Sequence, residues 1–207
     1  SAAQIDALSS TQIAAFGSAQ IAALSTEDLA TFSAEEIAAL STAAVSGLSS
    51  DQIAALTTSQ TSALKTSQIA AFKTTQIAAL TTTAFIALAT AQSQALTPAQ
   101  IAALSSTQLG ALGSDDLQTL PTLQIRGLTT AQVASLATDD LNRLTSNQIA
   151  ALTSAQIAAL DSNQLGKLET EDLAALSTLQ IRAIETRNIS AIDTADLGAL
   201  RSAQVAA

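Results

Sequence analysis

The sequence predicts an all-α fold, a solenoid or superhelix of short capped helices with one helix per eight-residue repeat. Three observations predict it. From Ser1 the chain divides into twenty-six consecutive octads without insertion or deletion, the last lacking only its final residue. Apolar residues recur at octad positions five and eight. A Ser or Thr stands at position one or two of every octad. An unbroken register of this kind is the signature of a repeat architecture and takes precedence over any domain number inferred from length.

The apolar pair decides between helix and strand. Position eight runs from Leu8, Phe16 and Leu24 to Ile192 and Leu200 and is apolar in every complete octad; position five is apolar except at Thr61 and Ser93. Spacings of three and five are odd, so a strand would place successive members on opposite faces. In a helix, positions five and eight share a face. One continuous helix fails too, because eight residues at about 100° each rotate the pair by roughly 80° per octad. The helix therefore breaks once per repeat.

The hydroxyls mark the break, since Ser and Thr accept from backbone N–H groups left without partners at a helix start. Ser33-Ala34-Glu35-Glu36 and Thr153-Ser154-Ala155-Gln156 have the spacing of a capping box, and Pro98 after Thr97 sits where a first helical residue tolerates proline. Where position one is Lys65, Glu169 or Arg201, the next Ser or Thr is the expected cap, which moves the boundary by one residue. Each octad thus reads as a helix of about five to seven residues, too short to stand alone in water and dependent on its neighbours. Position seven is Ala, Gly, Ser or Thr except at Arg143 and Lys167, which permits close stacking; position six admits charge and is read as facing solvent. Thr61 and Ser93 are read as weak points or bends.

No Pro-rich, Gly/Ser-rich or charged run divides the chain, so residues 1–207 are read as one continuous solenoid. Near the C-terminal half a second level of order appears. Pro121-Thr122-Leu123-Gln124-Ile125-Arg126 recurs as Ser177-Thr178-Leu179-Gln180-Ile181-Arg182, and Asp115-Asp116 as Glu171-Asp172, seven octads later. This reads as block duplication with no structural period attached.

Composition excludes more than it suggests. The chain has no His, Cys, Met, Trp or Tyr, which removes the commonest general base, the thiol nucleophile and the soft metal ligands. Its serines have no visible activating base. The expectation is no enzyme, with no catalytic, cofactor-binding or metal-binding residues and no cofactor. The acidic pairs Asp115-Asp116, Asp139-Asp140 and Glu171-Asp172 could gather Ca²⁺ only if stacked repeats converged them; the helix dipole already accounts for acids in a first turn. Lys65 and Lys73 form at most a small basic spot. With a net charge of −9 and four aromatic residues, nucleic acid is excluded as a partner. No apolar run spans a membrane, and Ser1-Ala2-Ala3-Gln4 is already in register, so no signal peptide is expected within it.

The string Ala151-Leu152-Thr153-Ser154-Ala155-Gln156-Ile157-Ala158-Ala159-Leu160, with its variant at residues 71–80, resembles octapeptide arrays of large bacterial secreted or cell-surface proteins of adhesin type. The resemblance covers the whole chain. It implies an extracellular or cell-surface structural protein, serving as a stalk, spacer or self-assembling fibre subunit. The implied partners are copies of itself end to end, or neighbouring repeats of a longer chain. A recognition module binding a protein or glycan through its regular surface is the alternative. Haem binding, associated with some such arrays, is not expected without an axial ligand.

Overall fold

In a computed structural model, which describes residues 8–206, the chain is helical with no strand among the described residues. Twenty-five helices of four to seven residues follow one another, one per octad, from Ser10–Ala14 to Ser202–Val205. No helix among them is long and apolar enough to cross a membrane. The chain divides into two compact units, Ser1–Ala111 and Leu112–Ala207. Each is built in the same way.

The octad Thr153 to Leu160 shows the local rule. Thr153 is extended (φ −74°, ψ 159°), its hydroxyl accepts from the Gln156 N–H, and the helix Ser154–Ala158 follows. The chain leaves the preceding helix, Ser146–Ala151, through Leu152, which is also extended (φ −58°, ψ 143°). Two successive extended residues thus make the corner, with φ negative at both. No left-handed residue is needed, which is why the array turns so often with only seven glycines. The helix Gly113–Thr119 differs: it starts after Leu112 in the αR region, without an extended cap.

Position one is the cap throughout the regular octads, and the boundary does not move where it lacks a hydroxyl. Helices still begin at Thr66, Thr170 and Ser202, directly after Lys65, Glu169 and Arg201. The expected one-residue shift is therefore corrected. At Lys65 and Arg201 the reason is visible: the backbone N–H still donates to Gln68 Oε1 at 2.6 Å and to Gln204 Oε1 at 2.8 Å. The side chain of position four fixes the start even when that of position one cannot.

Within each unit the helices wind so that each packs on the helix three octads along: Ser10–Ala14 against Ala34–Ala39, and Ser146–Ala151 against Thr170–Ala175. Hydrogen bonds from position four, by contrast, reach the octad four before. Gln52 bonds Leu24 across 28 residues and Gln148 bonds Leu120 across the same span. One turn of the coil is therefore close to 28 residues, or three and a half octads, and the helices of successive turns are staggered by half a repeat. The seven-octad recurrence in the sequence equals two such turns, a structural period where only duplication was expected.

Position five forms the centre of the core, with Ile53, Ile77, Ile125 and Ile157 wholly buried and the position-eight leucines nearly so. Thr61 lies in this row without bending it. It is fully buried, and its hydroxyl donates to the Thr57 carbonyl at 2.9 Å inside its own helix. The helices Thr58–Ala63 and Thr90–Ser93 keep the common spacing, since Gln92 reaches the Thr61 carbonyl. At position seven Gly47 lies close against a neighbouring backbone, where a Cβ would lie 2.5 Å from the Ser18 carbonyl oxygen.

Candidate functional site

The most elaborate polar arrangement in the molecule is a ladder of glutamines at position four, and it joins one turn to the next. Gln156 shows both of its ends. Its Oε1 accepts the Thr153 N–H at 2.6 Å, completing the capping box at the start of its own helix. Its Nε2 donates to the carbonyls of Ile125 at 3.2 Å and Leu128 at 2.6 Å, at the end of a helix one turn earlier. The two amide hydrogens meet two carbonyls and the amide oxygen meets an N–H, so the network leaves one orientation of the amide. A single neutral side chain thereby ties the N-terminus of one helix to the C-terminus of another.

The same pattern recurs in both units. In the first, Gln52, Gln60, Gln68 and Gln76 bond the carbonyls of Ile21 and Leu24, Leu29 and Phe32, Ile37 and Leu40, and Val45 and Leu48, at 2.7 to 2.9 Å. In the second, Gln148 and Gln204 do so for Leu117 and Leu120, and for Leu173 and Leu176. These glutamines are buried, Gln156 being 2% exposed, so their amides are shielded from competing water. The sequence expectation recognised only the capping half of this role. The missing signal was the preference for Gln over Glu: a capping box accepts either, whereas only the amide donates.

Substitutions within the ladder have local consequences. Asn188 is one methylene shorter and reaches a single carbonyl, that of Leu160 at 3.0 Å. Asp172 and Asp196 cannot donate when ionised; each instead accepts from a position-two hydroxyl of the turn before, Ser146 at 2.7 Å and Thr170 at 2.6 Å. Both carboxylates are buried. Burial pushes the Asp172 carboxyl above the usual carboxylate range; the Ser146 hydrogen bond opposes this, while Glu169 and Glu171 reinforce it.

The acidic pairs divide between two environments. Position three faces solvent and position four faces the adjoining turn. Asp115 pairs with Arg143 at 3.4 Å with both side chains largely exposed, a contact of little energetic weight, whereas Asp172 is enclosed as described. Among the described residues, no three His, Cys, Asp or Glu side chains are grouped as a metal site would require. Lys65 and Lys73 are exposed, and their backbone N–H groups serve the ladder through Gln68 and Gln76.

At the two ends the ladder is incomplete in opposite senses. In the first turn Gln12 and Gln20 are exposed; each amide oxygen accepts from its own helix start, Ser9 at 2.9 Å and Gly17 at 2.8 Å, while no Nε2 bond is made among the described residues. In the last turn the position-five residues Ile189, Leu197 and Val205 are 43%, 41% and 69% exposed, where their interior counterparts are buried. They border an apolar groove of about 490 Å³, shared with Ile181, Ile184 and Leu200.

Comparison with known families identifies this unit. A model described as the ALTTAQ repeat matches residues 1–26, 21–58, 85–122, 109–139, 133–168 and 165–194, which is most of the chain. The chain belongs to the ALTTAQ repeat family. No curated protein matches it. In octad register, Ala-Leu-Thr-Thr-Ala-Gln runs from position seven of one repeat to position four of the next. The ALTTAQ string therefore spans the corner between helices. It holds the close-packing alanine, the core leucine, the cap and the ladder glutamine in sequence.

Proposed function

We propose that this ALTTAQ repeat chain is a non-enzymatic structural protein, an extracellular stalk, spacer or self-assembling fibre subunit of a bacterial surface or adhesion system. The glutamine ladder is the observation that carries this reading. The commonest buried polar side chain of the repeat is engaged in holding turn to turn, and the remaining apolar positions form a core that advances by a constant step. A coil built this way sets distance. Membership of a repeat family and the resemblance to adhesin-type arrays support the same role.

Two measurements test it. Chains lengthened by seven or fourteen octads, two or four turns, within the second unit should grow in maximum dimension, by small-angle X-ray scattering, by roughly 8–10 Å per turn, the usual separation of packed helices. A dimension insensitive to added turns defeats the spacer. Protease treatment of intact producing cells should remove the chain; complete protection would place it inside and overturn the surface role.

A second reading, recognition of a protein or glycan, is favoured by Leu123 and Leu179, which are 64% and 68% exposed. They lie two turns apart on the same face, each three residues before an exposed arginine, Arg126 or Arg182. Binding on a glycan array that vanishes in the Leu123→Ser/Leu179→Ser variant would support it, and an array without signal would count against the glycan version.

A further inference from the structure

We propose that one face of the second unit binds an acidic segment of another protein, seating its aliphatic side chains between turns and its carboxylates on Arg126 and Arg182. The proposal rests on the protein form of the recognition reading above and names the chemistry of the ligand. The face is made by octads 121–128, 145–152, 153–160 and 177–184. At three and a half octads per turn, the middle two straddle the line that joins the outer two. The corner where those two meet lies in a groove of about 460 Å³. Ala150, Ala151 and Ser154 line it from the corner, Arg126 from the turn before and Leu179 from the turn after.

Leu123 and Leu179 are the only leucines at position three, a position with no part in the core or the ladder. Each stands three residues before an arginine on the same exposed helix face. Neither the caps nor the buried rows account for these four side chains. Charge points to the occupant. The second unit carries eleven acidic and six basic residues, yet none of the acids falls in these four octads. Among the described residues neither the Arg126 nor the Arg182 guanidinium has an ion-pair partner, and Glu185, the acid nearest Arg182 in sequence, pairs with Arg187. Two such guanidiniums, about 16–20 Å apart over two turns of packed helices, match carboxylates in bidentate geometry, while the leucines and alanines match aliphatic side chains. About six extended residues, or about three turns of helix, span that distance. A lipid surface fits less well, because polybasic attachment takes about four to eight cations and the face has no aromatic anchor. A sugar ring would likewise find no aromatic side chain to stack on.

Display selection on the 207-residue chain tests this with random peptides of about sixteen residues, long enough to span both arginines as helix or strand. Enriched peptides should combine Asp or Glu with Leu, Ile or Val. Resynthesised, they should bind in fluorescence anisotropy and weaken as salt rises. Arg126→Ala/Arg182→Ala and Leu123→Ser/Leu179→Ser should each lower affinity at least about tenfold, with unchanged circular dichroism because all four side chains are exposed. Arg126→Glu/Arg182→Glu should turn the selection toward Lys and Arg. A consensus without acids, or affinity unmoved by both variants, overturns the proposal. Peptides that need the leucines but carry no acids leave the recognition reading standing and overturn only the acidic ligand. No enrichment also overturns the proposal, and a glycan-array signal would then keep the recognition reading in its other form. Binding to phosphatidylglycerol vesicles, or self-association of the chain, that the same substitutions abolish assigns the face to a membrane or to a second copy and overturns it as well.

Discussion

At the scale of a residue, the position-four glutamine is irreplaceable by its nearest relative. Gln156→Glu retains an oxygen for the Thr153 N–H and loses both donors to Ile125 and Leu128, setting a carboxylate against two carbonyls. Leaving buried backbone acceptors unpaired costs about 1–3 kcal/mol each. Urea unfolding should show Gln156→Glu at least as destabilised as Gln156→Ala; a neutral Gln156→Glu would mean that capping alone matters. Asp172 gives the converse case. Its pKa is raised in the folded chain by burial, so folding binds a proton that the unfolded chain has released. Its stabilising protonated form is complete below the ordinary carboxylate range and is lost as pH rises through the folded value. Asp172→Gln restores an amide toward Leu141 and Leu144, and its thermal midpoint should exceed the parent's by a margin that widens between pH 4 and pH 7, about where carboxylates titrate. A constant margin would refute the titration. The capping half of position four was legible in the sequence because it acts over three residues. The ladder half was not, because its partners are a full turn away and are backbone carbonyls, which leave no mark on residue type.

An element here is a helix of one or two turns, and its stability comes from the ends and from what lies above and below. The core row at positions five and eight and the caps at position one were readable, since both are set by periodicity and by the chemistry of orphaned N–H groups. The corner itself was harder to read: two extended residues without glycine carry none of the usual signals for a helix stop. Thr61 misled as well, because a buried hydroxyl that bonds its own helix mimics an aliphatic residue in shape. Elements approach closely at Gly47, where an added Cβ meets the Ser18 backbone and not a movable side chain end. Gly47→Ala should therefore cost about 1–3 kcal/mol, and calorimetry showing a rise in the midpoint would contradict the contact.

For the whole molecule, the octad is the step of the coil and the turn is not. Deleting one octad, Thr153 to Leu160, moves every later helix back by one equivalent position and leaves each glutamine a matching carbonyl pair. Circular dichroism and cooperative unfolding should survive that deletion and fail when only Thr153 to Gln156 is removed. Equal damage from both would show that position along the chain, rather than register, determines stability. The number of octads per turn stayed hidden in the sequence, although the seven-octad recurrence carried a trace of it. Three and a half repeats per turn also separate two kinds of heredity. Gaining or losing a single octad is silent for folding yet swings all later surface features two sevenths of the way round the axis. A seven-octad copy returns them to the same heading. Leu123 with Arg126 and Leu179 with Arg182 are such a pair: they stand apart by the smallest block of whole repeats that keeps the markings of the coil aligned.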